Sequence, residues 1–450
     1  MIDQHSRWVF ALLLLLTAVR GLLYAAVIPP WQSPDETGHF EYVWLITHLG
    51  RLPGQEDASS AFERELLGSL YEWRYGEFIG RPLPEQVPER MADLPANIFA
   101  RSCRTVLLER FSLAYLWSAL FLLPFHHQDL VFQLYAARLS SVLLNVAIVW
   151  LAIRTFSELM PARPDLIPLM TAVVVFLPQH TFINSMVGEG PLAELMACLV
   201  LWCWARLFRR GFRIREAAGI MLGTLVGIWS KTTAVFLIPL DAGLALWWLM
   251  RRSRRNWTRR QTVYVCIGIV ILGVGTWLWS RSPLGVRTLQ SLRQVLSFPE
   301  LVWVDRRGIT FGEGLLLTYD SFWANFGWMA VPVSERWYGA IALISLMSCW
   351  GWWAGKREET PPWAVGMMSG GILMALLIFI WYGLLNQLYY WIQGRYLFPI
   401  IIPFAFLLVG GWIRFVSPKR SKIAIMSLLG FLIVFDTWCF AGYIIPYFYS

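Results

Sequence analysis

The stretch that decides the fold runs from Trp8 to Tyr42: WVFALLLLLTAVRGLLYAAVI followed by PPWQSPDETGHFEY. The first part, Trp8 to Ile28, is 21 residues of almost unbroken apolar sequence. At about 1.5 Å per residue it is long enough to cross a hydrocarbon core of roughly 30 Å. No small-x-small cleavage pattern follows it, so the segment is expected to remain as an anchor. The second part sets Asp35, Glu36 and His39 at the mouth of that span. Ionisable groups are costly beside lipid, and by default two adjacent carboxylates and a histidine there mark a functional site.

The composition beyond this stretch is that of a chain whose solvent is mostly lipid, with 57% hydrophobic, 16% aromatic and only 15% charged residues. Apolar runs of spanning length lie near 8–28, 131–151, 166–187, 191–208, 217–230, 233–250, 262–280, 337–354, 363–385, 396–413 and 423–446. They predict an all-α, multi-pass membrane protein of about 11 transmembrane helices, built as a single transmembrane domain over residues 1–450. The net charge of +9 sits in short loops between apolar helices, where membrane topology is its usual cause, so no nucleic-acid partner is expected. Of the six cysteines (Cys103, Cys198, Cys203, Cys266, Cys349, Cys439), only Cys103 falls in a long polar loop, and no disulfide framework is implied.

Charge also orients the chain. The segment Phe111 to Phe125 has 15 apolar-rich residues before His126-His127, a length that suits an interfacial or re-entrant helix. If it does not cross and the N-terminus is cytoplasmic, the short basic loops all fall on one side: 154–165, 209–215, 251–255, Lys356-Arg357 and 419–422. Two long loops, 29–130 and 281–336, are then outside, each too long to be a mere connector. The first is acidic, with aromatic pieces such as Tyr71-Glu72-Trp73-Arg74-Tyr75, and reads as short juxtamembrane helices on the outer surface. Its proline-rich part, Arg81 to Pro95, also fits a solvated spacer.

This topology collects polar residues that were not used to derive it. Asp35, Glu36 and His39 follow the first span; Asn184 and Glu189 end the third; Lys231 ends the fifth; Gln393, Arg395 and Tyr396 open the tenth. Carboxylates and two separate cations at one depth suit group transfer from a phosphate-bearing lipid, with a base for the acceptor hydroxyl and positive charge where the leaving phosphate develops negative charge.

The motifs that carry these residues are Ser33-Pro34-Asp35-Glu36 with His39-Phe40, Glu189-Gly190-Pro191-Leu192, Gly227-Ile228-Trp229-Ser230-Lys231 followed by Leu237-Ile238-Pro239, Phe322-Trp323 with Phe326-Gly327-Trp328, and Gln393-Gly394-Arg395-Tyr396-Leu397 with Pro399. In order and spacing they resemble the landmarks of GT-C glycosyltransferases. The resemblance is strongest to a bacterial family of transferases predicted to use polyprenyl-phosphate sugars, and more distant to protein O-mannosyltransferases and lipid A aminoarabinose transferases. It implies a GT-C-like fold and an inverting glycosyltransferase of the bacterial inner membrane with its site on the periplasmic or outer face. The implied partners are a polyprenyl-phosphate-linked sugar donor, a glycan, lipid or protein acceptor, and membrane lipid. The resemblance matches Asp35 to the first-loop catalytic acid, Glu189 to the acid that closes the third span and Lys231 to a basic residue on the donor phosphate; the residues themselves add Glu36 as a catalytic candidate, Arg395 on the donor phosphate, and His39, Asn184, Gln393 and Tyr396 positioning substrate. Where that superfamily commonly has Pro-Pro-Leu-Tyr-Tyr, this chain reads Ser112-Leu113-Ala114-Tyr115-Leu116, and it has no Asp-x-Asp pair.

Other readings of these residues stand beside that one. Adjacent acids on a helix face different ways, so only one of Asp35 and Glu36 is expected to act. Asp35, His39 and Glu189 have the ligand types of a divalent metal site, although a histidine that orients a carboxylate is the commoner use; no cofactor is fixed by the sequence, and a divalent metal stays open. Lys231 also fits a snorkelling role. Arg20, about 12 Å below the outer end of the first span, reads as structural. His180 and Asn184 fit interhelical hydrogen bonds as well as acceptor contacts. A transporter or lipid flippase is the rival class, but it would show internal repeats and charges near the midplane. Neither pattern is present here.

Overall fold

The computed structural model describes residues 4–101, 111–252, 259–283, 285, 286, 289, 310–355, 360–384, 393–416 and 418–450. Ser291 with residues 284, 287, 288 and 290–309 of loop 281–336, Cys103, and the aromatic residues before Gln393 lie outside them. The first helix, α1 (Gln4–Val27), is followed by α2 (Glu36–Leu49), α3 (Ser60–Glu72), α4 (Tyr75–Phe78), α5 (Leu113–Leu122) and α6 (Leu130–Leu159). Next come α7 (Ile167–Val175), α8 (Pro178–Ile183), α9 (Gly190–Arg210), α10 (Ile214–Ser230), α11 (Leu237–Arg252) and α12 (Arg259–Arg281). After α13 (Phe311–Trp323), a two-residue pair of strands, Asn325–Phe326 and Val331–Pro332, forms an antiparallel ladder with Phe326 opposite Val331. The chain closes with α14 (Glu335–Ala354), α15 (Pro362–Leu384), α16 (Ile401–Phe415), α17 (Ser421–Cys439) and α18 (Ile445–Tyr449).

All eleven expected spans are helical, but only seven described helices are both long and apolar enough to cross a membrane. The count of 11 is therefore not reproduced. Pro178 removes a backbone donor and splits the expected span 166–187 into α7 and α8. The helix α10 has 17 residues, short for a span. The helices α12 and α14 are long but fall outside the seven. Within Phe111 to Phe125, Leu113–Phe125 is a short apolar helix.

Helix ends follow local chemistry. Pro29 and Pro30 stop α1, and Asp129 caps α6 through Phe132 N at 3.0 Å. Gly50, at φ 64°, ends α2 with its N–H on the Ile46 carbonyl. The first long loop is no solvated spacer. Trp31, Phe40, Phe62, Leu67, Tyr75, Leu94, Ile98 and Tyr115 form a packed core of their own, continuous with Leu134 of α6. Even the proline-rich stretch is pinned, by buried Met91 and Leu94. The second loop docks on the first. Trp328 stacks on Phe99 with centroids 4.9 Å apart, and its indole N–H donates to the Trp31 carbonyl at 3.0 Å.

Two buried ion pairs hold this arrangement. Arg138, in the third turn of α6, has no exposed surface and grips Glu36 by two parallel bonds of 2.9 and 2.7 Å. Its other donors reach the carbonyls of Ala25, Ile28 and Pro29 at 2.8, 2.7 and 3.1 Å. One guanidinium thus satisfies carbonyls left open at the end of α1 and anchors the start of α2. Deeper in the bundle, Arg20 of α1 pairs with Asp436 of α17 through Nε at 2.9 Å and through Nη2. Its remaining donor reaches Val175 O and Thr181 Oγ1.

Candidate active site

The turn between α1 and α2 aims the first acid. Asp35 lies in the left-handed region, at φ 66°, as the residue before α2. This conformation is uncommon for a side-chain-bearing residue and is held here by the Arg138–Glu36 anchor next to it. It sends Asp35 and Glu36 in different directions. Asp35 Oδ2 meets Arg395 Nη2 at 2.6 Å, with about a third of the Asp35 side chain exposed. Glu36 is completely buried in its grip with Arg138 and also accepts from Val187 N at 3.3 Å. The two neighbouring acids are therefore in separate networks, and Glu36 is not part of the cluster around Asp35.

Arg395 is delivered by a close backbone approach. Gly394 donates to Ser321 Oγ at 2.8 Å, and a Cβ on it would fall 2.2 Å from the Phe322 nitrogen, so only glycine fits. Gln393 enters through its carbonyl, which accepts from Tyr396 N at 3.2 Å. Arg395 Nη1 donates to Pro34 O at 3.1 Å, and its buried Nε has no partner among the described residues. The Tyr396 ring lies beside both cations, 5.1 Å from Lys231 Nζ and 5.2 Å from the Arg395 guanidinium carbon. Lys231 stands at the break after α10, with Nζ 3.6 Å from where a Cβ on Gly190 would be. Desolvation, with Arg395 as the nearest repelling charge, pulls its ammonium down to about 8 against the opposing pull of Glu189 and Asp35.

The second acid is tied to the first loop. Glu189 Oε1 accepts from the Tyr115 hydroxyl at 3.0 Å, and the same hydroxyl lies 2.7 Å from His39 Nδ1. Burial lowers the His39 pKa, with Glu189 and Asp35 acting in the opposite sense. The structure thus brings Asp35, His39, Glu189, Lys231, Arg395 and Tyr396 together. Among the described residues no three His, Cys, Asp or Glu side chains converge as a metal-ligand group. The Asp35, His39 and Glu189 set considered from sequence is instead taken up by Arg395 and Tyr115.

Asn184 is placed elsewhere. Its Nδ2 donates to Glu194 Oε2 at 3.0 Å, and His180 Nε2 lies 2.6 Å from Glu194 Oε1, with all three side chains buried. This is the interhelical reading of His180 and Asn184. Sequence reasoning missed three partners: Arg138, Glu194 and Tyr115. The first two carried a usable signal, since each is an ionisable residue inside an apolar span. Tyr115 did not, because an aromatic in an interfacial helix is ordinary.

Tyr396 also lines a small apolar pocket, with Phe236, Ile378, Phe379, Leu397 and Pro399, between the segments 232–251, 362–380 and 394–415, all three of spanning length.

A family model described as a predicted membrane protein (DUF2142) matches residues 18–404. The chain belongs to that family. No protein of curated function matches it. Among solved structures, ArnT from Cupriavidus metallidurans bound to undecaprenyl phosphate is similar at 13% identity, with a TM-score of 0.51. The match covers 94% of this chain and 63% of ArnT, so this family member spans less than two thirds of that protein's length. What the two share is the fold, and the GT-C resemblance read from the sequence is met at that level.

Proposed function

We propose that the protein is an inverting GT-C-type glycosyltransferase of a bacterial inner membrane, moving a sugar from a polyprenyl phosphate to an acceptor hydroxyl at the outer, periplasmic face. The observation that carries this reading is an acid and cation cluster whose Tyr396 ring lies beside both cations and also lines a small apolar pocket between segments of spanning length. Such a juxtaposition suits a charged headgroup beside a hydrocarbon tail. The neighbour in the same fold was solved with undecaprenyl phosphate bound, which supports a donor of that class. The placement of loops 29–130 and 281–336 outside rests on the distribution of basic loops.

In this reading Asp35 takes the proton of the acceptor hydroxyl as its oxygen attacks the anomeric carbon. The bond from that carbon to the phosphate oxygen breaks on the opposite side, and the polyprenyl phosphate leaves with the electron pair. Arg395 and Lys231 stabilise the charge that develops on it, while Glu189 positions sugar or acceptor. Tyr396 and Gln393 shape the headgroup pocket, and Glu36 and Asn184 support the scaffold.

The direct test is turnover of defined polyprenyl-phosphate sugars by purified protein, followed by mass spectrometry of the lipid. Arg395→Ala is expected to lower turnover by about 10²–10³, the cost of removing one preorganised charge donor. Arg395→Lys is expected not to restore it, because an ammonium lacks the planar fork that holds two phosphate oxygens. Normal turnover in both variants would remove Arg395 from the leaving-group role.

A pH profile tests Lys231. The protonated ammonium is the useful form, present below its pKa of about 8 and lost as pH rises through that value. The kcat/KM profile should therefore fall by about tenfold per unit above pH 8. Lys231→Arg should push that limb to higher pH, since a guanidinium stays charged. An unchanged limb would assign it to another group.

A further inference from the structure

The polar groups around the cluster form a chain whose middle member has no role in the reading above. His39, Tyr115 and Glu189 come from α2, α5 and the start of α9, and the Tyr115 hydroxyl joins the outer two. A tyrosine hydroxyl has one proton. With that proton given to Glu189 Oε1, the contact at 2.7 Å requires His39 to present Nδ1–H to the phenol oxygen. The direction of the chain is therefore His39 Nδ1–H to Tyr115 O–H to the Glu189 carboxylate. Each link makes the next a better donor, and both act to hold the Glu189 carboxylate in one orientation.

The element that carries Tyr115 is itself fixed to the cation side of the site. Ser112, which opens α5, donates to the carbonyl of Ser230 at 2.7 Å, directly before Lys231. The Tyr115 ring is fully buried and stacks on Tyr42 with centroids 4.6 Å apart. One short helix thus sets the carboxylate of Glu189 through its first turn and holds the backbone next to Lys231 through its cap.

We propose that Tyr115 is a positioning residue of this site: its hydroxyl, oriented by His39, holds the Glu189 carboxylate aimed at the hydroxyls of sugar or acceptor. The proposal deepens the glycosyltransferase reading and rests on it for the identity of what Glu189 meets. The hydrogen-bond chain itself does not depend on that reading. The charged and titratable groups facing this region are His39, Asp35, Lys231, Arg395 and Tyr396, with Glu194 reaching Lys231 from α9.

Tyr115→Phe removes the hydroxyl and keeps the stacked ring, so folding is expected to hold. Dicyclohexylcarbodiimide modifies carboxyls in apolar surroundings, and peptide mass spectrometry can follow its labelling of Glu189 in the full chain at one fixed pH. The extent of labelling is expected to rise by about threefold or more in Tyr115→Phe, because the oxygen released from the Tyr115 hydroxyl is open to the reagent. His39→Ala should move it in the same direction and by less, and serves as the second variant. Turnover of a polyprenyl-phosphate sugar should fall by about 10–100-fold in Tyr115→Phe, with undecaprenyl phosphate binding retained. Labelling of Glu189 that stays unchanged in both variants overturns the proposal. Raised labelling in a protein that turns over no polyprenyl-phosphate sugar keeps the positioning role and overturns the glycosyltransferase reading instead.

Discussion

In Asp35→Asn, turnover of a polyprenyl-phosphate sugar is expected to fall by about 10²–10⁴, while undecaprenyl phosphate binds more tightly than to the wild type. The first effect follows from losing the basic oxygen at nearly constant size. The second comes from the 2.6 Å contact between Asp35 and Arg395. In the free protein the cation proposed for the donor phosphate is occupied by the carboxylate proposed as base. A phosphate that takes Arg395 must displace Asp35, and in doing so releases a base no longer held by a positive charge. Removing the Asp35 charge removes that competition. The pair is partly exposed on the Asp35 side, so solvent screening limits the gain to about threefold to tenfold in affinity. Binding of undecaprenyl phosphate by tryptophan fluorescence and turnover by mass spectrometry measure the two halves separately. Weaker binding in Asp35→Asn would make Asp35 a donor ligand, and normal turnover would end its role as base.

Glu36→Gln is expected to fail in a different way, through the fold. The substitution leaves Arg138 fully buried with carbonyls but no countercharge. Breaking one partner of such a pair costs about 3–5 kcal/mol, enough to lower the thermal midpoint clearly in a detergent-solubilised melt. At a temperature where the variant is still folded, turnover per folded molecule should stay within a few-fold of wild type. A Glu36→Gln protein with an unchanged melt and no turnover would place Glu36 in the chemistry and contradict the structural role.

Comparison of these two neighbours shows what the sequence can and cannot convey. Adjacency of Asp35 and Glu36 signals a costly feature beside lipid but does not say which carboxylate faces which partner. That depends on the left-handed turn at Asp35 and on Arg138, a residue 102 positions away from Glu36. The membrane class and helical character were legible because apolar length is a local property. The number of spans was less so, since Pro178 breaks one run and α10 stops at 17 residues. Asn184 illustrates the same limit for the site. It shares a helix end with Glu189 in sequence, yet its side chain turns toward Glu194, and only packing decides that. Tyr115 was quoted only as a departure from a motif, because its meaning comes from two groups brought to it by other helices.

The pairing of Arg20 with Asp436 has a consequence for how the chain is made. The two residues are 416 positions apart. At ribosomal speeds of about 5–20 residues per second, roughly 20–80 seconds pass before the partner exists. During that time the first anchor carries an unmatched guanidinium at a depth where insertion scales charge about 2.5–3.5 kcal/mol. Val175 O and Thr181 Oγ1, which also bind it, emerge much earlier and offer partial relief. Completion therefore waits for α17, and the nascent bundle has a built-in reason to remain open, or in the care of insertion machinery, until its last long helix arrives.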